Sequence, residues 1–430
     1  MLMDADFFAN LKTMKSITVL FAAIISVTSV FAGDFNYTMT EYAGSAMPYS
    51  IPSARAAYPD TLKPVMISHV GRHGARYPSS DARAMKLKSA LLKADSLGSI
   101  TPVGRKLLSI VDDVLTMCEG RWGMLDSLGM AEQEGIARRM YRSFPELFVR
   151  GRVTAMASYV PRCVMSMDAF THQLAIEHRR MNIYTESGPV TSRLLRPFEV
   201  DSSYVRYRER EPYHDIYERF FDDNAPVTPA VRALGDGCCA TEKQLRDFAL
   251  TEYGFLSSLG AMSYNVDIAE FMTEEEYSRL WSCNNLSQYL TRTASTVSKL
   301  PADIASPLLG EIINSIDSVI TGHNDAYVQL RFGHAETLMP LLSLMHLPGC
   351  YYMTDDFSLV SRHWCNFRVV PMASNLQLIL FRSDSGRMYL RTDLNEVPVD
   401  LLVGSEEIYV PWEKARKYLV DCLPGRMLGD

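Results

Sequence analysis

Residues 72–78 read Arg-His-Gly-Ala-Arg-Tyr-Pro and follow an apolar run at residues 65–67. Arginine keeps its charge, and its planar fork of donors fits the oxygens of a phosphate. A neutral imidazole beside such groups is a nucleophile toward phosphorus. The glycine next to the histidine lets another backbone approach closely, and the proline stiffens the chain that leaves the loop. The stretch therefore predicts an anion site in which His73 attacks a phosphoryl group held by Arg72 and Arg76.

The pattern around this loop predicts three strand–loop–helix units. Strands are expected at residues 65–70, 153–159 and 326–332, since these segments are short and apolar and are followed by helical spacing. A basic residue stands beyond the second strand, Arg162, and another beyond the third, His334. The carboxyl ends of parallel strands converge on one crevice, and helix N-termini there favour an anion. We therefore expect these side chains to meet the loop in one site.

Two motifs carry a resemblance to a known family. Residues 72–78 fit Arg-His-Gly-x-Arg-x-Pro, and residues 333–336 read Gly-His-Ala-Glu. Together they resemble the signatures of the histidine acid phosphatases, the branch of the histidine phosphatase superfamily that includes phytases. His-Ala-Glu in place of the commoner His-Asp is similar to the multiple inositol polyphosphate phosphatases. The resemblance extends over residues 58–398, more loosely in the middle third.

The resemblance implies hydrolysis of phosphomonoesters in two steps. His73 would take the phosphoryl group as a phosphohistidine, and Glu336 would protonate the departing alkoxide and then activate water. Arg162 is included because the family has an arginine in a similar context, Ser158-x-x-x-Arg162. The non-bridging oxygens would be held by Arg72, Arg76, Arg162 and His334. The mechanism requires no metal and no organic cofactor.

Charge and motif together point to a polyanionic substrate. Between residues 63 and 88, six lysines and arginines stand against one acid, a net +5 within a chain of formal net charge −7. The overall charge argues against a general nucleic-acid or anionic-membrane binder, but the local field decides what a site attracts. The resemblance favours inositol polyphosphates such as phytate. Possible outer contacts to the substrate are Arg83, Lys86, Arg193, Arg196 and Arg206.

Three other functions are compatible with parts of this pattern. The nearest alternative is a broad-specificity exported histidine acid phosphatase. A mutase acting on phosphoglycerates shares the chemistry, but such enzymes are normally intracellular. The predicted signal peptide at the N-terminus argues against this function. A non-catalytic exported protein that captures phosphorylated ligands would need neither a nucleophile nor a proton donor, so the presence of both disfavours it.

The N-terminus predicts export. A lysine precedes the apolar run of residues 17–30, which ends close to a small residue suited to signal peptidase. The signal is assigned to residues 1–32, with Met14 as the start and cleavage before Gly33. The run is too short to cross a bilayer comfortably, and no span is expected in the mature protein. We expect that protein in the periplasm, at the cell surface or outside the cell.

The expected fold class is α/β. A parallel-rich central sheet flanked by helices would form the core, with an inserted, mostly α-helical domain that roofs the active site, as the resemblance implies. The core is assigned to residues 33–180 and 302–430. The insert is assigned to residues 181–301, where aromatic and charged residues crowd together at helical spacing. Strands return at residues 376–381 and 388–392, on either side of a hairpin turn.

Two further groupings are weaker candidates for chemistry. His69 and His73 are four residues apart, a spacing that suits a shared metal ion on a helix, but this segment is predicted to be strand and loop. His323 and Asp325 could act as an acid–base pair, but they precede the third strand, at the wrong end of the sheet. His69 and His323 are therefore interpreted as packed or surface histidines.

Eight cysteines in an exported chain permit disulfides. The adjacent Cys238 and Cys239 are expected to pair with different partners rather than with each other. Cys163, next to Arg162, is interpreted as a small buried hydrophobic residue.

Overall fold

A mixed β-sheet organises the fold. The computed structural model describes residues 37–53, 56–209 and 212–425, and the predicted signal at residues 1–32, with its start at Met14, lies outside them. The strands of the described residues are β1 (Leu62–Arg72), β2 (Arg152–Ala157), β3 (Asn182–Ser187), β4 (Val328–Gly333), β5 (Asn375–Ser383), β6 (Met388–Leu394), β7 (Val397–Val399) and β8 (Val410–Pro411).

The strand order places β1 and β4, which correspond to the first and third predicted strands, next to each other. It runs β3-β2-β4-β1-β5-β6-β7, with β8 beside β6. Strands β1 to β4 pair in parallel, whereas β5 lies antiparallel to β1 and starts a meander with β6 and β7. The expected α/β class with a parallel-rich sheet is confirmed. Because β4 lies between β1 and β2, the carboxyl ends of these three strands stand side by side at one edge of the sheet.

Helices flank the sheet and fill the long stretch between β3 and β4. In the part of the chain that the structure describes, the α-helices span Ala82–Ser96, Pro102–Met117, Ser127–Ser143, Leu147–Arg150, Pro161–Glu177, Pro189–Leu195, Pro197–Val200, Ser202–Glu209, His214–Asn224, Thr228–Leu234, Glu242–Leu259, Glu274–Arg292, Leu300–Asp303, Ser306–Ile320, Ala335–Leu344, Val360–His363, Asn366–Val369 and Trp412–Asp421. Short 3-10 helices span Glu41–Ala46, Gly260–Met262, Ile268–Glu270 and Phe357–Leu359. No described helix is both long and apolar enough to cross a membrane.

Strand β1 contributes to two hydrophobic cores, because successive side chains of a strand point to opposite faces. Met66 is fully buried on one face and belongs to the cluster that holds the helix Ala335–Leu344. Ile67 is fully buried on the other face, in the cluster that holds the helix Pro161–Glu177. Both of these helices start at the carboxyl edge of the sheet, so the two cores fix where their N-termini lie.

The start of the region assigned to the insert differs from our expectation. Residues 181–301 were expected to be helical, but Asn182–Ser187 forms β3, an edge strand that pairs with β2. Its side chains are mostly exposed, so it lacks the apolar alternation by which a strand is recognised in sequence. The regular structure that follows it, up to residue 301, is helical.

The two longest helices of this region begin at capping boxes, in which a side chain and a backbone N–H are paired in both directions. Thr241 accepts from the backbone N–H of Gln244, and Thr273 does the same for Glu276. In return, the side-chain oxygens of Gln244 and Glu276 accept from the backbone N–H groups of Thr241 and Thr273. These caps fix the start of Glu242–Leu259 and Glu274–Arg292, which together form one wall of the site.

The cysteine expectation was wrong. Cys238 and Cys239 are both free thiols in the structure. Cys163 is fully buried, as expected for a small hydrophobic residue, and burial raises the pKa of its thiol to about 11. Among the described residues, no group of three or more His, Cys, Asp and Glu side chains is placed to hold a metal ion.

Candidate active site

The register of the sheet brings three chain segments to one level. Arg72, the last residue of β1, pairs with Gly333, the last residue of β4. The backbone N–H of His73 then donates to the Gly333 carbonyl at 3.0 Å. On the other side of β4, the N–H of Ser158 donates to the Phe332 carbonyl at 3.1 Å. The segments that follow β1, β2 and β4 therefore begin at the same edge of the sheet, as expected from the three predicted strands.

The loop after β1 is fixed by two helices behind it. A Cβ atom on Gly74 would lie 2.4 Å from the carbonyl oxygen of Gly129, so only glycine fits there. The N–H of Gly74 donates to Ser166 Oγ at 3.1 Å, and the N–H of Ala75 donates to Glu132 Oε2 at 2.7 Å. The loop of residues 72–78, the signature loop, thus lies directly against the helices Ser127–Ser143 and Pro161–Glu177.

The hydrogen bond of His73 determines its tautomer. Its Nδ1 lies 2.8 Å from the carbonyl oxygen of Gly74. Since a carbonyl only accepts, Nδ1 carries the hydrogen, and Nε2 keeps its lone pair. The ring is buried, and burial together with Arg72, Arg162 and Arg76 holds its pKa well below the usual value for histidine. The side chain is therefore a neutral imidazole whose Nε2 is able to attack an electrophile.

Three arginines surround this imidazole and have spare donors. Arg72 uses one nitrogen, Nη1, to reach the carbonyls of Ser45 and Val370, both at 2.6 Å. Arg76 donates to the Tyr77 carbonyl at 2.8 Å. The Nε atoms of these two residues and of Arg162 are buried without a hydrogen-bond partner. Since buried donors normally have partners, this set is ready to receive an anion.

Burial lowers the pKa of these guanidinium groups without removing their charge. The pKa of Arg72 is lowered to about 9, and that of Arg76 to about 10, in each case first by burial and then by a neighbouring arginine. Both groups therefore stay protonated at neutral and acidic pH. Arg72 and Arg76 therefore remain cationic over the pH range in which a phosphomonoester is an anion.

His334 caps the helix Ala335–Leu344 and lies opposite His73. Its ring Nε2 is 2.8 Å from Arg196 Nη1 and 2.9 Å from Ser158 Oγ, and its Nδ1 is 3.3 Å from Arg162 Nη2. Burial and the charge of Arg162 lower its pKa to about 3. Arg196 and Arg162 both only donate, so each ring nitrogen of His334 faces an arginine donor.

Glu336 forms an ion pair that the sequence did not suggest. Its Oε1 lies 2.8 Å from Nη2 of Arg292, the last residue of the helix Glu274–Arg292. Burial raises the pKa of the Glu336 carboxyl, but Arg292 and His334 lower it by more, and the net pKa is about 2. Arg292 is therefore a site residue that motif reasoning missed. A faint signal existed, since Asn284, Gln288 and Arg292 are four residues apart and all line the cavity.

These side chains open onto a cavity of about 470 Å³. Among the described residues that line it, five arginines stand against one carboxylate, Glu336. The arginines are Arg72, Arg76, Arg83, Arg162 and Arg292. The opposite wall comes from the helix Glu242–Leu259, where Arg83 donates to the carbonyl of Gly254 at 2.8 Å. Residues of two helices from the stretch assigned to the insert therefore line the cavity.

The other proposed outer contacts lie elsewhere in the structure. Arg196 contacts His334 rather than the mouth of the cavity. Lys86 lines a separate groove, and Arg193 and Arg206 are exposed side chains outside the lining of the cavity. Arg206 donates to its neighbour Ser203 at 3.2 Å. Arg83 is thus the member of this group that the structure brings to the cavity.

The weaker histidine candidates are where the sequence suggested. His69 is a buried residue of β1, with its ring 5.3 Å from that of Phe170 and 5.5 Å from that of Phe332. His323 is exposed before β4, and its Nδ1 lies 2.8 Å from Thr321 Oγ1. Neither side chain lines the cavity.

Comparison with known families and sequences supports the resemblance found in the motifs at residues 72–78 and 333–336. A family model described as histidine phosphatase superfamily (branch 2) matches residues 208–395. The chain is 24% identical over 442 residues to multiple inositol polyphosphate phosphatase 1 of Gallus gallus, which covers 94% of this chain and 93% of that protein. The human protein of the same name is 25% identical over 361 residues, with 76% of this chain and 72% of that protein covered.

Solved structures show the same fold. The multiple inositol polyphosphate phosphatase of Bifidobacterium longum, solved in complex with inositol hexasulfate, superposes with a TM-score of 0.76 at 17% identity, over 90% of this chain and 99% of that one. The phytase from D. castellii has a TM-score of 0.71 at 15% identity, over 90% of this chain and 86% of that one.

Proposed function

We propose that this chain is a branch 2 histidine phosphatase that removes phosphates from inositol polyphosphates such as phytate through a phosphohistidine intermediate. One observation carries the proposal. The lone pair of His73 Nε2 lies among three arginines whose buried Nε atoms have no hydrogen-bond partner. A nucleophile and an anion clamp therefore occupy the same cavity.

In the first step, Nε2 of His73 forms a bond to phosphorus while the bond from phosphorus to the inositol oxygen breaks. Glu336, in its protonated form, gives its hydrogen to that oxygen, so that an alcohol leaves rather than an alkoxide. The oxygens of the transferring group carry the negative charge, which Arg72, Arg76 and Arg162 stabilise. Positioning and charge account for most of the catalysis.

In the second step, water replaces the histidine. Glu336, now a carboxylate, takes a proton from the attacking water, and the new oxygen–phosphorus bond forms as the nitrogen–phosphorus bond breaks. The electron pair returns to Nε2 of His73, and inorganic phosphate leaves. His334 and the arginine donors hold the same oxygens throughout.

The wall of the cavity favours a substrate with several phosphates. Five arginines against one carboxylate leave a surplus of positive charge beyond what one phosphate requires. A small phosphomonoester would occupy the clamp near His73, but it would leave Arg83 and Arg292 without an anionic partner from the substrate. This argues for a polyphosphorylated substrate over the broad-specificity alternative. The nucleophile and the acid argue against a protein that only binds.

We also propose that the protein is exported. The support is the apolar run at residues 17–30 and the small residues before Gly33, which lie outside the described residues. N-terminal sequencing of the protein recovered from its source cells would start at Gly33. A protein that retained residues 14–32 would contradict cleavage.

Incubation of the purified protein with phytate in the presence of a chelator, followed by separation of the products, tests the function. We expect lower inositol phosphates and inorganic phosphate from the wild type, and none from His73→Ala. Lys86→Ala, in a separate groove, is the control and should behave as the wild type.

Three results would contradict the proposal. Rapid hydrolysis of p-nitrophenyl phosphate without hydrolysis of phytate would favour a different phosphatase. Tight binding of phytate without turnover would favour a binding protein. Loss of activity with EDTA that zinc restores would indicate a metal site.

A further inference from the structure

We propose that Arg292 is an ion-pair switch for the proton donor: it pairs with Glu336 in the empty site and turns to a phosphate of the substrate in the complex. Glu336 would then take up its proton only when the substrate is bound. This inference rests on the proposed function of the same site. It adds a residue from the inserted helices to the chemistry of the sheet edge.

The geometry places the pair where such an exchange is possible. Arg292 ends the helix Glu274–Arg292, and Glu336 lies in the first turn of Ala335–Leu344, so the two groups come from opposite walls. Nη2 and Oε1 are 2.8 Å apart. The side chains are 24% and 29% exposed, and both line the cavity. A substrate that enters the cavity therefore meets both members of the pair.

The helix that carries Arg292 is itself well fixed. Gln288, one turn earlier, donates to Ser45 Oγ at 3.1 Å and to Asn284 Oδ1 at 2.8 Å. Trp281 donates to Asn366 Oδ1 at 3.1 Å further back. These contacts hold the backbone, so the exchange requires rotation of the Arg292 side chain alone. Arginine suits this role, because its other donors can reach a phosphate as the carboxylate is released.

The charges that face Glu336 explain why a switch is needed. On its own element His334 precedes it. The opposing elements contribute positive groups from three directions: Arg72 at the end of β1 with Arg76 in the loop after it, Arg162 from the helix after β2, and Arg292. With a pKa of about 2, only about one carboxyl in a thousand would be protonated at pH 5. The empty site therefore holds a carboxylate, which has no proton to give.

Binding reverses this balance. A phosphate on Arg72, Arg76 and Arg162 cancels positive charge near Glu336, and a second phosphate on Arg292 removes its ion-pair partner. Both changes favour the neutral carboxyl. Glu336 takes one proton from solvent, gives it to the inositol oxygen when the phosphorus–oxygen bond breaks, and regains one from water in the second step. That proton returns to solvent when the products leave and Arg292 pairs with Glu336 again.

A static pair would behave differently. If Arg292 only joined the insert to the sheet, Glu336 would stay ionised in the complex, and the ligand would bind without proton uptake at this residue. Proton uptake on binding therefore separates the two cases. It is measured by isothermal titration calorimetry in buffers of different ionisation enthalpy.

The ligand for this experiment is inositol hexasulfate, whose sulfates do not titrate between pH 3.5 and 6.5. Glu336→Gln keeps both histidines of the site, so its uptake is subtracted from that of the wild type. We expect a difference close to one proton per site. Equal uptake in the two proteins would overturn the proposal.

Arg292→Gln tests the switch itself. Without its counter-ion, Glu336 should protonate at higher pH in the free protein, so the acid side of the pH window for uptake moves upward while the alkaline side, set by the complex, stays. Affinity for the hexasulfate should fall at least tenfold. Arg279→Gln on the same helix, which donates to the Asn224 carbonyl instead, should show the wild-type window and affinity.

The remaining outcomes are also decisive. An unchanged window in Arg292→Gln would make the pair static and overturn the proposal. Should that variant fail to fold, Arg292→Lys keeps the charge and should keep the wild-type window with weaker affinity; a window moved upward there would contradict the charge argument. Hydrolysis of phytate without uptake by Glu336 would remove this inference alone. No hydrolysis and no hexasulfate binding would remove the proposed function and this inference with it.

Discussion

The imidazole rings of His73 and His334 lie edge to face, with centroids 5.7 Å apart and planes at 74°. Their hydrogen bonds give them different roles. His73 donates through Nδ1 to the carbonyl of Gly74, and His334 receives Arg196 at Nε2. His73 therefore keeps a free lone pair on Nε2, whereas both ring nitrogens of His334 face arginine donors. This difference fits His73, rather than His334, as the nucleophile.

Removal of Arg162 should slow the hydrolysis of every phosphomonoester. Its Nε is one of the buried donors without a partner, so it is expected to stabilise charge on the transferring group. We expect Arg162→Ala to lose about 3 kcal/mol of transition-state stabilisation, a loss of roughly 100-fold in kcat/KM. Steady-state rates for phytate and p-nitrophenyl phosphate measure it, and the exposed Arg206→Ala is the control. A loss confined to phytate would instead place Arg162 in an outer pocket.

Glu336→Gln should slow two substrates unequally. The inositol alkoxide is a poor leaving group that needs a proton, whereas p-nitrophenolate leaves without one. We expect a loss of about 10²–10⁴-fold for phytate and a much smaller loss in the pre-steady-state burst of nitrophenol. The burst is the proper measure, because Glu336 also serves the water step and would slow steady turnover of both. Equal losses would show that Glu336 only shapes the phosphate site.

The motif residues were predictable because the chemistry is local in sequence. Residues 72–78 form a continuous loop after a buried strand, and His334 follows the strand paired with it. Arg292 was missed because nothing near it in sequence indicates Glu336, and their contact depends on how the inserted helices pack. The edge strand β3 was missed because its exposed side chains remove the period-2 pattern.

Gly129 lies in the helix that packs against the loop of residues 72–78, and this position is predicted to be sensitive to substitution. A Cβ on Gly129 would lie 2.1 Å from the carbonyl oxygen of Ala75, so Gly129→Ala must push the signature loop outward. A displacement of about 1 Å at the nucleophile costs on the order of 100-fold in rate. Gly135→Ala on the same helix meets only the guanidinium of Arg139, at 3.0 Å, and should remain active. Similar kcat/KM in the two variants would contradict the role of this contact.

His69 should limit stability in acid. Burial, and then the charge of Arg331, lower its pKa to about 3, below the value of an unfolded histidine. The unfolded state therefore binds more protons as pH falls from about 6.5 to about 3, and stability is lost across that window. Between pH 7 and pH 4.5 this costs about 2 kcal/mol.

His69→Leu should remove the share of His69 from the loss of stability in acid, because leucine does not titrate. Denaturant unfolding at pH 7 and pH 4.5 measures it, and the exposed His323→Leu is the control that should follow the wild type. If the free energy of unfolding of His69→Leu fell as steeply with pH as that of the wild type, other groups would be responsible.

The most direct test of the account is to trap the phosphoenzyme. Wild-type protein mixed with phosphate-labelled substrate and quenched rapidly in base should carry acid-labile, base-stable phosphate, and peptide mapping should place it on His73. His73→Ala should remain folded and carry none. Label on another residue, or active turnover in which no phosphoenzyme forms, would contradict His73 as the nucleophile.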